Sequence, residues 1–404
     1  MENFTDIAKK DDLRVLMLGG RRCGKTSALA SMFESIISGI ANKYLTIADF
    51  TTLETKGIET QDSLSGKTAE LKSLLSNVNA ATFLVDQNPS KYWWDYRLKI
   101  KIPGTNREMF INFRDVPGEF CRQGNEHENE VKEYVKQCDV FLVTIDTPYL
   151  MESANPENSL CNDGINDTVN RIPDIQQYLT CINDNDGQDG KMVIFCPVKC
   201  EKWYNEGRID EVNERLLKVY HTCITNLKAY KKMDISIIPI LTAGNIEFVE
   251  QKEAFTLMPH NGIGKPKQCC RQSSKFLRLA NGAPYMIKEG DIVNEDTEAV
   301  ITGTNLVRPY SWFKIRYNSN NALNGYKPVN CEQLTLHIIR FMLNKIEYGK
   351  AHPTDIWKKI WIWIQKTLGT IRLDELKEII HNMQTAGIIK DSHEDGIIHI
   401  KTAY

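Results

Sequence analysis

The chain's densest chemistry lies in eight consecutive residues, Gly19-Gly20-Arg21-Arg22-Cys23-Gly24-Lys25-Thr26, which satisfy G-x-x-x-x-G-K-[ST]. Gly19 and Gly24 let the backbone curl, so that successive N–H groups from Gly20 to Ser27, Arg22 and Cys23 among them, face a phosphate chain. Lys25 would reach the β- and γ-phosphates, and the Thr26 hydroxyl would coordinate Mg²⁺. A Gly-rich turn that merely links strand to helix is the competing reading. Context favours the phosphate reading. Arg14–Leu18 (RVLML) predicts a buried strand, and Ala28, Leu29, Met32, Phe33, Ile36 and Ile37 recur at helical spacing behind the loop.

A second phosphate-facing element is expected at the end of Glu108–Asp115 (EMFINFRD), where Met109, Ile111 and Phe113 alternate with polar residues. This strand runs into Asp115-Val116-Pro117-Gly118-Glu119. Asp-x-x-Gly after an apolar strand is the pattern of GTPases that sense the γ-phosphate. Asp115 would hold Mg²⁺ through water, and the Gly118 N–H would meet the γ-phosphate. An Asp-Val-Pro-Gly β-turn is the plain alternative.

Three more strands follow in order. Val140–Ile145 comes after an amphipathic helix and ends at Asp146-Thr147-Pro148. Met192–Phe195 leads into Val198-Lys199-Cys200-Glu201. Ile235–Leu241 is followed by Thr242-Ala243-Gly244. At the second of these strand ends GTPases carry Asn/Thr-Lys-x-Asp, whose carboxylate accepts hydrogen bonds from guanine N1–H and N2–H₂ while the Lys stem packs on the base. Here Lys199 and a carboxylate, Glu201, are kept, but Val198 is apolar and the acid is one methylene longer. An ATPase therefore stays open as an alternative. Thr242-Ala243 would supply a backbone N–H to guanine O6.

With these elements in order, the chain resembles the translation-factor-like (TRAFAC) class of P-loop GTPases, and more narrowly bacterial double-GTPase-type proteins of conflict or defence systems. The narrower resemblance rests on Ala81-Thr82 before the aromatic strand Tyr92–Leu98, on Pro197-Val198-Lys199-Cys200-Glu201, and on Asn330-Cys331-Glu332-Gln333 opening a helix to Met342. It implies a doubly wound, mostly parallel α/β sheet, GTP and GDP as ligands, Mg²⁺, and hydrolysis of GTP by water. Thr82 would close on Mg²⁺ and the γ-phosphate, with Thr51, Thr52 and Thr60 as competitors for that role. Glu119 stands where many small GTPases place a water-orienting glutamine; a carboxylate there brings negative charge near the γ-phosphate, so slow or partner-dependent turnover is expected. Arg21 and Arg22 depart from the small residues common inside this loop; one of them either clamps the developing charge in cis or points to solvent.

Length and composition frame these motifs. The 404 residues suggest about two to three domains, and 42% hydrophobic with 25% charged residues is ordinary for a packed protein. With 50 basic against 52 acidic residues, composition does not predict wholesale polyanion binding. Eleven irregularly spaced cysteines form no disulfide framework or zinc quartet, which with the polar N-terminus predicts a cytoplasmic protein of a reducing compartment and no integral membrane segment.

The motifs assign residues 1–348 to a GTPase domain with inserts at about 40–90, 150–190 and 250–325, and 349–404 to a small C-terminal module. The first insert carries a polar helix at Thr60–Ser76, the second a helix at Asp167–Ile182. Gln251–Asn281 is locally basic, with six Lys/Arg against one acid. Ile356, Trp357, Ile360, Trp361, Ile364 and Leu368 then predict one tail helix and Leu373–Met383 another. A hairpin of Ile388–Lys390 and Ile397–Ile400 completes a helical, winged-helix-like module. Residues 331–404 hold 10 Lys/Arg and 9 Asp/Glu, which disfavours nucleic acid and favours protein partners. The function expected is a GTPase acting as a switch or assembly regulator. The alternatives are a nucleotide-binding scaffold with little turnover, an ATPase, and a DNA-binding regulator acting through the tail.

Overall fold

The computed structural model describes residues 13–38 except Arg22, 46–53, 93–101, 108–155 and 163–182, then 190–256, 307–315, 326–351 and 389–403, with short pieces between. The first strand, β1 (Leu13–Gly19), is apolar almost throughout because both its faces are covered. Val15 and Met17 point to one layer of core, with Ala28, Leu29 and Phe33 of α1 (Lys25–Ser38). Leu16 and Leu18 point to the other, with Val131 and Val135 of α2 (Glu128–Gln137). Each such side chain, fully buried, contributes roughly 1.5–3 kcal/mol.

The chain next supplies β2 (Thr46–Leu53), β3 (Trp94–Lys101) and β4 (Glu108–Asp115), then β5 (Val140–Asp146), α3 (Thr147–Glu152), α4 (Asp163–Asn170) and α5 (Ile172–Thr180). After these come β6 (Lys191–Val198), α6 (Glu201–Asn205), α7 (Ile209–Val219), α8 (His221–Ala229) and β7 (Met233–Ile237). Beyond them lie a separate antiparallel ribbon of β8 (Ile246–Thr256), β9 (Gln268–Cys270) and β10 (Val307–Ile315), then α9 (Cys331–Ala351) and β11 (Ile398–Lys401). The main sheet has eight strands in the order β11-β7-β6-β5-β1-β4-β3-β2. Its centre, β7-β6-β5-β1-β4, is parallel, while β3, β2 and β11 are antiparallel additions. The expected doubly wound, mostly parallel α/β fold is what forms.

This topology fixes where a ligand can sit. The chain leaves β1 toward β4 on one side and later returns to place β5 on the other, so a crevice opens beyond the C-terminal end of β1. The ends of β4, β5 and β6 line the same edge. Asp95 on β3 faces Arg114 on β4 across the ladder, and the guanidinium grips the carboxylate at 2.6 and 2.5 Å. Both side chains are buried, and Arg114 also stacks on Tyr134 at 4.1 Å. Removing either partner would strand a charge at a cost of about 3–5 kcal/mol. This pair therefore anchors the end of β4, one residue before Asp115.

Four expectations are corrected. Asp167–Ile182 is not one helix: it is two, broken at Arg171, whose φ of 53° is left-handed, with Pro173 in the first turn of α5. The strand expected to reach Leu241 ends at Ile237. The terminal strand does not form a hairpin with Ile388–Lys390 among the described residues; β11 pairs with β7 and extends the main sheet. Last, the helix expected to end at Met342 runs on to Ala351 as α9. Sequence reading also missed β2 and the β8–β10 ribbon. The helices expected at Thr60–Ser76, Ile356–Leu368 and Leu373–Met383 fall wholly or largely outside the described residues, as do the side chains of the basic stretch Gln251–Asn281.

Candidate nucleotide site

At the switch point, Gly24 closes the loop and its carbonyl accepts the first α1 hydrogen bond, from Ala28 N at 2.8 Å. Lys25 is buried and turns back over its own loop, donating to Gly19 O at 3.1 Å and Gly20 O at 2.9 Å. Burial disfavours its charge, but Cys23, Asp115, Cys121 and Glu119 outweigh that effect, so the ammonium is held above its ordinary pKa. Cys23 is buried with its Sγ 3.0 Å from Thr144 Oγ1. Its smaller neighbour Gly20 faces α4, where an added Cβ would lie 1.7 Å from Val169 O. The phosphate loop is thus braced from outside by the end of α4.

The Thr26 hydroxyl donates to Asp115 Oδ2 at 2.8 Å, joining the loop to the end of β4. Asp115 is buried, and its other oxygen, Oδ1, has no partner among the described residues. Burial pushes this carboxyl up, while Lys25 and the Thr26 hydroxyl pull it back. A hydroxyl beside a carboxylate with a free oxygen is a hard-oxygen donor set that fits Mg²⁺. Among the described residues no group of three or more His, Cys, Asp or Glu could hold an ion. Thr26 and Asp115 are the residues that would hold such an ion.

Gly118 rests directly on the loop, where a Cβ would fall 2.1 Å from Arg21 N and 2.4 Å from Gly20 C. Only glycine fits that approach. The next residue, Glu119, accepts an ion pair from Arg21 Nε at 2.6 Å, each side chain 38% exposed. Arg21 thus neither points freely to solvent nor stands alone as a clamp; it is tied to Glu119.

The opposite wall is built by β6, α6 and the segment after β7. Lys199 has left-handed backbone (φ 58°), and its stem approaches the loop: a methyl on Gly24 would sit 3.9 Å from Lys199 Cε. Glu201, in the first turn of α6, is fully buried. Its Oε1 accepts from Ala243 N at 3.4 Å, and Oε2 has no partner among the described residues. Burial pushes its carboxyl up to about 7, against the pull of the backbone N–H groups of Glu201, Ala243 and Gly244 and of Lys199. Thr242 contributes its carbonyl to the Ser31 hydroxyl of α1 at 2.7 Å, which ties this wall to the helix behind the phosphate loop.

Two groups here carry no sequence motif. Asp146, at the end of β5, pairs with the Lys199 ammonium and accepts from Tyr149 N at 3.4 Å as the cap of α3. Asn170 of α4 holds the Asp146 backbone at both ends, accepting from its N–H at 2.7 Å and donating to its carbonyl at 3.2 Å. The only sequence signal was an acid at a strand end. Gly19, Gly20, Arg21, Cys23, Gly24, Lys25, Thr26, Ser27, Asp115, Gly118 and Glu119 lie on or against the phosphate loop, and Lys199, Glu201, Thr242 and Ala243 form the second wall. Arg22 and Thr82 lie outside the described residues.

No family model and no curated protein matches the chain. Among solved structures, the S. cerevisiae Ski7 GTPase-like domain bound to GDP and inorganic phosphate aligns with 78% of this chain and 74% of its own, at 10% identity and TM-score 0.34. The signal recognition particle receptor SRb-GTP/SRX complex from Chaetomium thermophilum covers 58% of this chain and 92% of that one, at 10% identity and TM-score 0.32. Sup35 complexed with GDP covers 80% and 68%, at 9% identity and TM-score 0.25. No helix among the described residues is long and apolar enough to cross a membrane.

Proposed function

We propose that this protein binds guanine nucleotide and hydrolyses GTP to GDP and phosphate. The observation that carries the reading is the pairing of two walls across one crevice. One holds the Thr26–Asp115 pair, with a free buried carboxylate oxygen beside Lys25; the other holds the buried carboxylate of Glu201 beside Ala243 N. Lys25 neutralises phosphate charge, the loop N–H groups hold the phosphate chain, and Gly118 N–H meets the terminal phosphate. Thr26 and Asp115 would hold Mg²⁺, which when bound would further neutralise the phosphates. Glu119 orients the attacking water, and ionised Glu201 accepts from the two guanine N–H groups.

The Arg21–Glu119 pair supports slow intrinsic turnover, because each group must leave the other before it can serve at the terminal phosphate. Protein partners acting on the switch segments or the C-terminal region would release it. The setting we propose is a cytosolic switch or assembly regulator, in keeping with the resemblance to double-GTPase-type defence proteins and with eight free cysteines among the described residues. Titration with GDP and ADP by calorimetry, together with phosphate release by wild type and Lys25→Ala, tests the activity. Tighter binding of ADP, or equal phosphate release by both proteins, would sink it.

A further inference from the structure

Lys199 is useful to a base only if its stem is held flat against the ring, and a lysine stem is long and freely rotating. The backbone does part of the holding, through the left-handed turn at Lys199. The motif position before it is Val198, whose side chain is fully buried and offers no hydrogen bond. What fixes the far end of Lys199 is Asp146, 53 residues earlier in sequence, whose Oδ2 receives the ammonium. Asp146 is 1% exposed, and its position leaves little freedom. Its carboxylate caps α3, and its backbone N–H and C=O are both held by Asn170, whose amide also donates to Asn166 Oδ1 at 2.8 Å. The lysine is therefore held at both ends, by its left-handed backbone and by a carboxylate set rigidly into the neighbouring strand end, with its Cε close to Gly24 between them.

We infer that Asp146 is a positioning residue for base recognition, which fixes the Lys199 stem as the face on which a guanine ring lies. The inference rests on the guanine-nucleotide reading of the site. Asp146 does not touch the nucleotide; it removes the ordering cost that a loose lysine would add to each binding event. Its effect should thus be felt by ligands that carry a base and not by phosphate alone.

The test compares wild type, Asp146→Asn, Lys199→Met and the double variant, titrated with GDP, ADP and inorganic pyrophosphate. Asn keeps the cap of α3 and the shape of the site while losing the charge that holds Lys199. Asp146→Asn should weaken GDP by about tenfold, Lys199→Met by a similar factor, and the double variant no more than Lys199→Met alone. Pyrophosphate affinity should stay within about twofold in all four. If Asp146→Asn binds GDP like wild type, or weakens it by the same factor with and without Lys199, the inference fails while the guanine reading stands. Equal loss of pyrophosphate would likewise overturn it, since the defect would lie in the fold of the site. Wild type with no preference for GDP over ADP would overturn both. If Asp146→Asn does not fold, Lys199→Met, which keeps the stem without its charge, decides the matter: undiminished GDP affinity refutes the pinning.

Discussion

Two lysines flank the same crevice and are held in opposite ways. Lys25 bonds to carbonyls five and six residues before it, within its own loop. Lys199 is held by a carboxylate 53 residues away, on another strand, and that carboxylate is in turn held by a helix. The phosphate wall is a local object made mostly of backbone, whereas the base wall is assembled from three strand ends and the helix α4. This difference teaches where robustness lies. On the proposed reading, backbone donors hold the phosphate chain whatever base it carries. On the same reading, base selectivity rests on side chains whose placement is a tertiary achievement.

The contrast can be broken by experiment, beginning with the largest effect. Lys25→Ala should weaken GDP, ADP and pyrophosphate alike, by at least about a hundredfold, because it removes the buried charge that the proposed function sets against the phosphates. Calorimetric titration with all three would read this, and a loss confined to GDP would dissolve the distinction between the walls. Glu201→Gln should cut the preference for GDP over ADP by about ten- to a hundredfold, leaving pyrophosphate unchanged. A variant that keeps the preference would show that the base is read elsewhere.

The next effect concerns pH. The Glu201 carboxyl is raised from 4.5 to about 7 by burial, so in the empty protein it is largely neutral below that value. Guanine needs the carboxylate, and binding must then expel a proton. GDP affinity should therefore fall as the pH drops below about 7, by up to tenfold per unit, and level off above it. Glu201→Gln should abolish this slope, and pyrophosphate should not follow it. Titrations between pH 5.5 and 8.5 would check the sign; affinity that rises on acidification would refute the role of the ionised form. The smallest change belongs to Glu119→Gln. Its pair with Arg21 is over a third exposed, so thermal unfolding should move by less than about 1 kcal/mol. Phosphate release is the sharper readout, and it should rise if the pair restrains turnover.

Much of the phosphate wall was legible in advance because its information is contiguous. A glycine-bearing octapeptide between an apolar strand and an amphipathic run can make few other structures, and Asp115 was marked by the alternation of the strand before it. Glu201 was legible by its order after β6, but not its complete burial or its raised pKa, which come from α6, the segment after β7 and the strands packing around it. Asp146 was marked only as an acid at a strand end, and Asn170 had no local signal. Neither has meaning until β5 is laid beside β6 and Asn170 of α4 reaches the end of β5. Arg171 misled the helix reading for a related reason: apolar spacing continued through it, while a left-handed turn and Pro173 broke the backbone.

By itself, then, the sequence determined the motif-bearing strands β1, β4, β5 and β6, the loop from Gly19 to Thr26, and the identity of Lys25, Thr26, Asp115, Lys199 and Glu201 as groups worth placing. Periodicity and glycine spacing act over a few residues, and that range suffices for elements and for a loop made of backbone. The tertiary structure alone decided that Arg21 meets Glu119, that Asp146 holds Lys199, and that the terminal strand becomes an edge of the main sheet instead of half a hairpin. Each of these joins residues far apart in the chain. Such contacts follow from which strand lies next to which, and neighbourhood in a sheet is settled by packing both faces of the core at once.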